Sequence, residues 1–443
     1  MQTSTRTGKF DMPRKNRRFF CRSVFLLACL SPTVLCLILV AGKHSSAYQN
    51  YQQRSWQEHL QSQLGLTVKI GHVQRGEKSV ELHDVGFCDP ETAEPLANVR
   101  MIDVENSTKP FRISLLEPQI KPASLTRLWN SLHQSFLRTT ANSQDTLCFT
   151  ASKLLLENRT QPQTFSNLSC TIEQPSTGPR LTLEFRIVGE PAEASMRLSV
   201  ARHRKVSPPS TTWEFHSGRS AIPVPLIADL LPATTSLGTT CRFRGIVRMT
   251  ETKGKWSGQV EGNFEDLDLD RLVTQRFLRK LSGLADVDLN RCRFENGRLV
   301  EATGFLVSDG GVVSRQFLEA AQGAFKLRNN RNTELKTLVR YRELAFGFRI
   351  DPTTLLINGN CATTLDGVVL VDETGPLLFD SAEELIPAVA LAGLLVPESK
   401  HQIAASIGTD ALLRRLPLPQ ISPPTIGREV PVTALRILPE TRR

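Results

Sequence analysis

From Leu66 onward the chain repeatedly places apolar residues at every second position, and a period of two confines such stretches to half-buried strands. The clearest instance is "RLTLEFRIVGEPAEASMRLSVARH" (180–203). Leu181, Leu183, Phe185 and Ile187 alternate with Thr182, Glu184 and Arg186. After a loop carrying Gly189 and Pro191, Met196, Leu198 and Val200 alternate with Arg197 and Ser199. The pattern predicts a hairpin with one apolar and one solvated face. Similar alternation marks "LTVKI" (66–70), Phe243/Val247/Met249, Val260 through Phe264, Val287/Leu289, Phe325/Leu327 and residues 355–373. Turn signals punctuate these runs: "ENG" (295–297), "SDGG" (308–311) and "LDG" (365–367). The expected fold class is mainly β with inserted α-helices: a long antiparallel sheet, with an open β-groove as one form and a closed core as the other.

Helical periodicity interrupts the strands. Leu125, Leu128, Trp129, Leu132 and Phe136 share one face behind Ser124, predicting a helix over 124–137. Val273, Phe277 and Leu281 predict another over 270–282, ending at Gly283, and 314–322 reads the same way, ending at Gly323. Ser381 and Glu384 form a capping box ahead of "LIPAVALAGLLV", too short to span a bilayer.

The N-terminus sets the topology. Seven cations and one acid in residues 1–22 precede Ser23–Gly42, which holds no charge. Its twenty residues cover about 30 Å as a helix, one bilayer core. The cation bias predicts a retained signal anchor at 23–42, a basic tail (1–22) in the cytoplasm and the rest of the chain on the far side of the membrane. Of the net +10, residues 1–22 carry +6; the remaining +4 argues against a nucleic-acid partner. Residues 43–64, with Trp56, Leu60 and Leu64 at i, i+4 spacing, read as a stalk helix that Gly65 ends. Two β-rich regions are expected at 65–205 and 223–380, separated by the proline-bearing stretch between them, with a C-terminal helix and tail at 381–443.

No nucleotide-binding, nucleophile-elbow or zinc-protease motif is present, and no CxxC pair. His83, Asp84, Cys88 and Asp89 cluster in "ELHDVGFCDPE", but a strand ending in a turn with Asp89 accepting backbone bonds explains them. Asp266, Asp268 and Asp270 alternate with Leu267 and Leu269, as an outer strand face leading into a helix cap would. Cys148 and Cys170 are placed to face each other across a hairpin, as a disulfide or as buried thiols. Asn106, Asn158 and Asn167 match the glycosylation pattern. The reading is of a chain with no cofactor, no metal site and no catalytic residues, hence not an enzyme.

In its order of parts the chain resembles the AsmA/TamB-type family of diderm bacterial envelopes, itself similar to bridge-like lipid-transfer proteins. The likeness is carried by "LQSQLGLTVKIGHVQRGEKSVELHDVGFCDPETAEPLANVRMIDVE" (60–105), through Gly65, Val68, Ile70, Val80, Leu82, Val85, Asp89, Pro90, Ala97, Val99, Ile102 and Val104. "GKWSGQVEGNFEDLDLDRLV" (254–273) matches a second family feature, a strand closing on a helix entry. The resemblance implies a single-pass inner-membrane protein with its bulk in the periplasm, binding or transferring phospholipid in cell envelope biogenesis. The lipid-facing candidates are Val68, Ile70, Leu183, Phe185, Leu198 and Val200. The alternative is a non-enzymatic anchored scaffold that binds envelope protein partners by strand addition. About 16 strands at about 4.8 Å each give a groove of roughly 75 Å, which serves the anchoring membrane and does not bridge an envelope.

Overall fold

The structure, a computed structural model, describes residues 22–36, Arg415, and 45–395 apart from 77, 106–109, 139–145, 158–161, 192, 228–231, 278, 332–336, 364 and 382–383. They belong to two compact units, one of residues 1–235 and 243–254, the other of 236–242 and 255–443.

Of the expected anchor, residues 23–36 are helical and 37–42 lie outside the described residues. Among the described residues no helix is long and apolar enough to cross a membrane. The stalk helix spans Ser46–Leu64. The Ser45 hydroxyl accepts from the Tyr48 amide at 3.3 Å at its start, and Gly65 closes it at φ +66° with its amide on the Gln61 carbonyl at 2.9 Å.

In the first unit, β1 (Thr67–Lys69) and β2 (His72–Arg75) share one edge of β3 (Ser79–Cys88), and β3 pairs with β4 (Pro95–Glu105). β5 (Phe111–Leu116) and β6 (Gln119–Ile120) share the far edge of β4 and run parallel to β7 (Leu147–Leu156). β8 (Gln163–Glu173), β9 (Arg180–Ile187), β10 (Met196–His203) and β11 (Ser210–His216) follow in antiparallel order. After the short β12 (Ile222–Pro223), β13 (Arg242–Thr252) pairs with β11.

Three expectations need correction here. The sheet is not wholly antiparallel, because the helix between β6 and β7 supplies the crossover that parallel neighbours require. That helix runs Leu125–Leu132 and widens into π-type turns over His133–Arg138; Ser124 gives it no side-chain cap, since a 3₁₀ turn (Pro122–Ser124) already leads into it. The break expected between 205 and 223 is crossed by β11, whose ladders to β10 and β13 keep this stretch inside the first unit.

In the second unit, β14 (Lys255–Asp268), β16 (Leu284–Glu295), β17 (Arg298–Ser308) and β20 (Leu338–Ile350) form an antiparallel series. β15 (Leu281–Ser282) adds to β18 (Gly311–Ser314), which shares an edge of β20 with β17. β21 (Thr354–Gly359) and β22 (Val368–Asp372) take the other edge. β23 (Gly375–Phe379) joins β22 to β19 (Arg328–Asn329), and β24 (Ile386–Pro387) pairs with β21.

The helix expected over 270–282 is a single turn, Asp270–Thr274. Leu281 and Ser282 are drawn into the sheet instead, and the Thr274 hydroxyl bonds both the amide and the carbonyl of Leu281, closing the loop. The next helix covers Arg315–Phe325, capped by the Ser314 hydroxyl on the Phe317 amide at 3.2 Å. It runs through Gly323 and stops where Lys326 takes φ +54°. The Ser381/Glu384 capping box does not form. Glu384 pairs with Lys326, and Pro387 holds Ile386 extended in β24, so the last helix begins only at Ala390.

Candidate functional site

The register decides which side chains share a face. In the first unit, Cys170, Leu183, Leu198, Phe215 and Val247 stand opposite one another across β8–β9–β10–β11–β13. The neighbouring row runs Ile172, Leu181, Val200, Trp213 and Met249. On the other face the same strands carry Thr171, Thr182, Ser199, Glu214 and Arg248. In these rows one face is apolar and the other polar, as the alternation requires, and the apolar face ends at the next row, Arg202, Thr211 and Glu251.

Helices cover parts of the apolar face. The stalk helix sets Trp56 and Leu60 on a cluster of Val68, Ile70, Val80, Leu82, Val85, Val99 and Ile102. Its Gln53 and Gln61 amides donate to the carbonyls of Ile70 and Val68, the latter at 3.4 Å, and so occupy acceptors of the edge strand and of the residue after it. Farther along, Trp129 and Leu137 lie on Ile172, Leu181 and Val200, and the Trp129 and Trp213 rings meet at 3.9 Å between centroids. Beside the Trp129 helix, Leu183 and Leu198 pack against the same cluster, and with Phe215 and Val247 they are half-buried.

The six candidates thus separate. Val68 and Ile70 are buried beneath the stalk helix, and Val200 beneath the Trp129 helix. Leu183 and Leu198 pair directly, and Phe185 pairs with the buried Met196 while its ring meets Phe165 edge-on at 5.3 Å. Phe215 and Val247 extend the Leu183–Leu198 row. Phe215 escapes sequence reading because the nearby Pro208-Pro209 suggests a break, although "TWEF" already alternates.

Local structure accounts for Asp89, Asp268, His83 and the two cysteines. Asp89 accepts the Glu91 and Thr92 amides at 2.8 and 3.1 Å; these bonds, with Arg127 at 2.8 Å, hold its carboxyl below the usual range. Asp268 accepts the Asp270 and Arg271 amides at 2.9 and 3.2 Å and caps the single turn. Cys148 and Cys170 are free thiols. The register sets Cys148 against Thr171 and Cys170 against Phe149, so they point to opposite faces and form no disulfide. Burial, with Cys148 nearby, pushes Cys170 up to about 12. His83 stacks on His72 at 4.4 Å, and among the described residues no group of His, Cys, Asp and Glu is placed to hold a metal ion. Asn167 sits exposed in a bulge of β8 at φ +52°, and Asn106 and Asn158 lie outside the described residues.

In the second unit the Arg315–Phe325 helix lays Phe317, Leu318, Ala321 and Phe325 over β17 and β20, above an apolar cavity of about 100 Å³. Comparison with protein-family models, curated proteins and solved structures finds no match.

Proposed function

We propose that this chain is an inner-membrane-anchored protein with its bulk in the periplasm, which holds phospholipid acyl chains against the apolar face of its sheet and hands them on near the anchoring membrane during envelope biogenesis. One observation carries the reading: the half-buried row Leu183–Leu198–Phe215–Val247 runs unbroken across four adjacent strands, beside the row of the same face that lies under the Trp129 helix. A row of side chains about 4.8 Å apart per strand makes a smooth apolar strip about 15 Å long, enough for much of an acyl chain. The scaffold alternative draws less support at the N-terminal edge, where the stalk glutamines take up acceptors that strand addition would use. The test is photocrosslinking in intact membranes from single positions on either face. Probes at Leu183, Leu198 and Phe215 are expected to yield lipid adducts, and probes at Ser199 and Glu214 none; equal labelling of both faces, or none, would sink the proposal.

A further inference from the structure

The first unit has a concavity on its polar face, near the stalk. Gly71, Asp84, Arg100 and Glu117 stand in one row across the strands, and the residue pairing skips all four, although the Gly71 amide still donates to the His83 carbonyl at 2.9 Å: the ladders pair His72 with His83 and Lys69 with Gly86, His83 with Met101 and Val85 with Val99, Met101 with Leu116 and Asn98 with Gln119. Asp84 and Glu117 take left-handed backbone at φ +52° and +49°, uncommon for residues with side chains. Gly71 leaves room for this, since a Cβ there would lie 3.0 Å from the Asp84 Cβ. The next row on the same face is Lys69–Gly86–Asn98–Gln119. Apart from Gly71, the residues of the two rows, with Val85 and Val99, line an open hollow of about 410 Å³ whose polar side chains are exposed. Gly86 forms its floor because it carries no side chain.

The charges in this pocket are balanced and divided. Arg100 is engaged by Glu117 at 3.3 Å. Lys69 and Asp84 face the pocket with no ion-pair partner among the described residues, on adjacent strands with backbones about 8 Å apart by strand spacing and rise. A simple anion would gain Lys69 but face Asp84, and a simple cation the reverse. A molecule bearing both charges satisfies both.

We propose that this pocket binds a small zwitterion, its oxyanion on Lys69 and its ammonium on Asp84, with the Asn98 and Gln119 amides bonding the atoms between. The pocket and the Leu183–Val247 row lie on opposite faces, so binding at either can fail without the other.

The test is calorimetric titration of the full chain with O-phosphoethanolamine, with ethanolamine, inorganic phosphate and glucose as comparisons. Saturable binding is expected, about tenfold or more tighter than ethanolamine or phosphate alone, and weakened about tenfold or more by Gly86→Val and by Lys69→Ala. Gly86→Val fills the floor without loss of fold: a Cβ there meets only the Asn98 Oδ1, at 3.5 Å, and valine suits a strand. Its melting temperature is checked alongside. No saturable binding, binding unchanged in folded Gly86→Val, phosphate binding as tightly as the zwitterion, or glucose binding in its place would each overturn the assignment. Repeating the titration in nanodiscs separates two sources of the same chemistry. Probe binding in phosphatidylglycerol discs that is lost in phosphatidylethanolamine discs assigns the pocket to a lipid headgroup; binding equal in both assigns it to a free solute.

Discussion

The phenolic hydroxyl of Tyr341 donates to the carbonyl of Ser282 at 2.7 Å, tying β20 to β15 across 59 residues of chain, with the Ser308 hydroxyl 3.1 Å away. The ring needs small neighbours: a Cβ on Gly311 would stand 1.9 Å from the Ser282 carbonyl oxygen and 2.5 Å from the Tyr341 hydroxyl. Tyr341→Phe removes one buried bond and is expected to cost about 1–2 kcal/mol. Gly311→Ala forces backbone to move and is expected to cost more, about 2–3 kcal/mol. Urea unfolding checks the order; a Gly311→Ala protein as stable as the parent would show that these contacts are loose.

The stalk depends on Gly65. At φ +66° any side chain is strained, so Gly65→Ala is expected to destabilise by about 1 kcal/mol, and Gly65→Asn by less, because asparagine tolerates the left-handed region. Melting curves of the two variants should fall in that order.

Acid should loosen the second unit through Asp372. Burial would raise its pKa, but bonds from Arg331 at 2.7 Å and from the Thr374 hydroxyl and amide outweigh it and hold the group below 3.8. A depressed folded value means the stabilisation is complete above about pH 3.8 and is lost as pH falls through the lower folded value. Asp372→Asn is therefore expected to reduce stability at neutral pH and to flatten the fall in melting temperature below pH 4, measured by calorimetry across that range.

Trp129 covers the apolar face by packing on Trp213. Trp129→Ala is expected to cost about 2–3 kcal/mol, below the value for a fully buried tryptophan because the ring is half-exposed. It should also raise the binding of an apolar fluorescent dye at native temperatures. Unchanged dye binding in a folded variant would show that the helix does not screen the face.

Much of this was legible in the sequence where local rules agree with the fold. Gly65 ends the stalk because glycine enters the left-handed region most cheaply, and Leu181–Ile187 with Met196–Val200 forms the expected hairpin, with Leu183 against Leu198. The failures lie where tertiary pairing overrides helical period. Leu281 matches a helical face with Val273 and Phe277, yet it pairs with Val313, since a ladder satisfies its backbone and buries it together. Pro387 competes with a good capping box and wins, because it fixes Ile386 in extended form. The Lys69 pocket was not legible at all. Its four strands meet only through register, and no local signal places Lys69 beside Gly86 or Asn98 beside Gln119.

The most direct measurement of the central proposal is native mass spectrometry of residues 44–443 purified without detergent, with lipid extraction of the same sample. Phospholipid at about one or two per chain is expected. It should be lost from Phe215→Glu, which charges the row, and kept in Glu214→Gln, which alters the opposite face. A folded, monodisperse protein free of lipid, or lipid retained equally in both variants, would contradict an acyl-chain surface on this sheet.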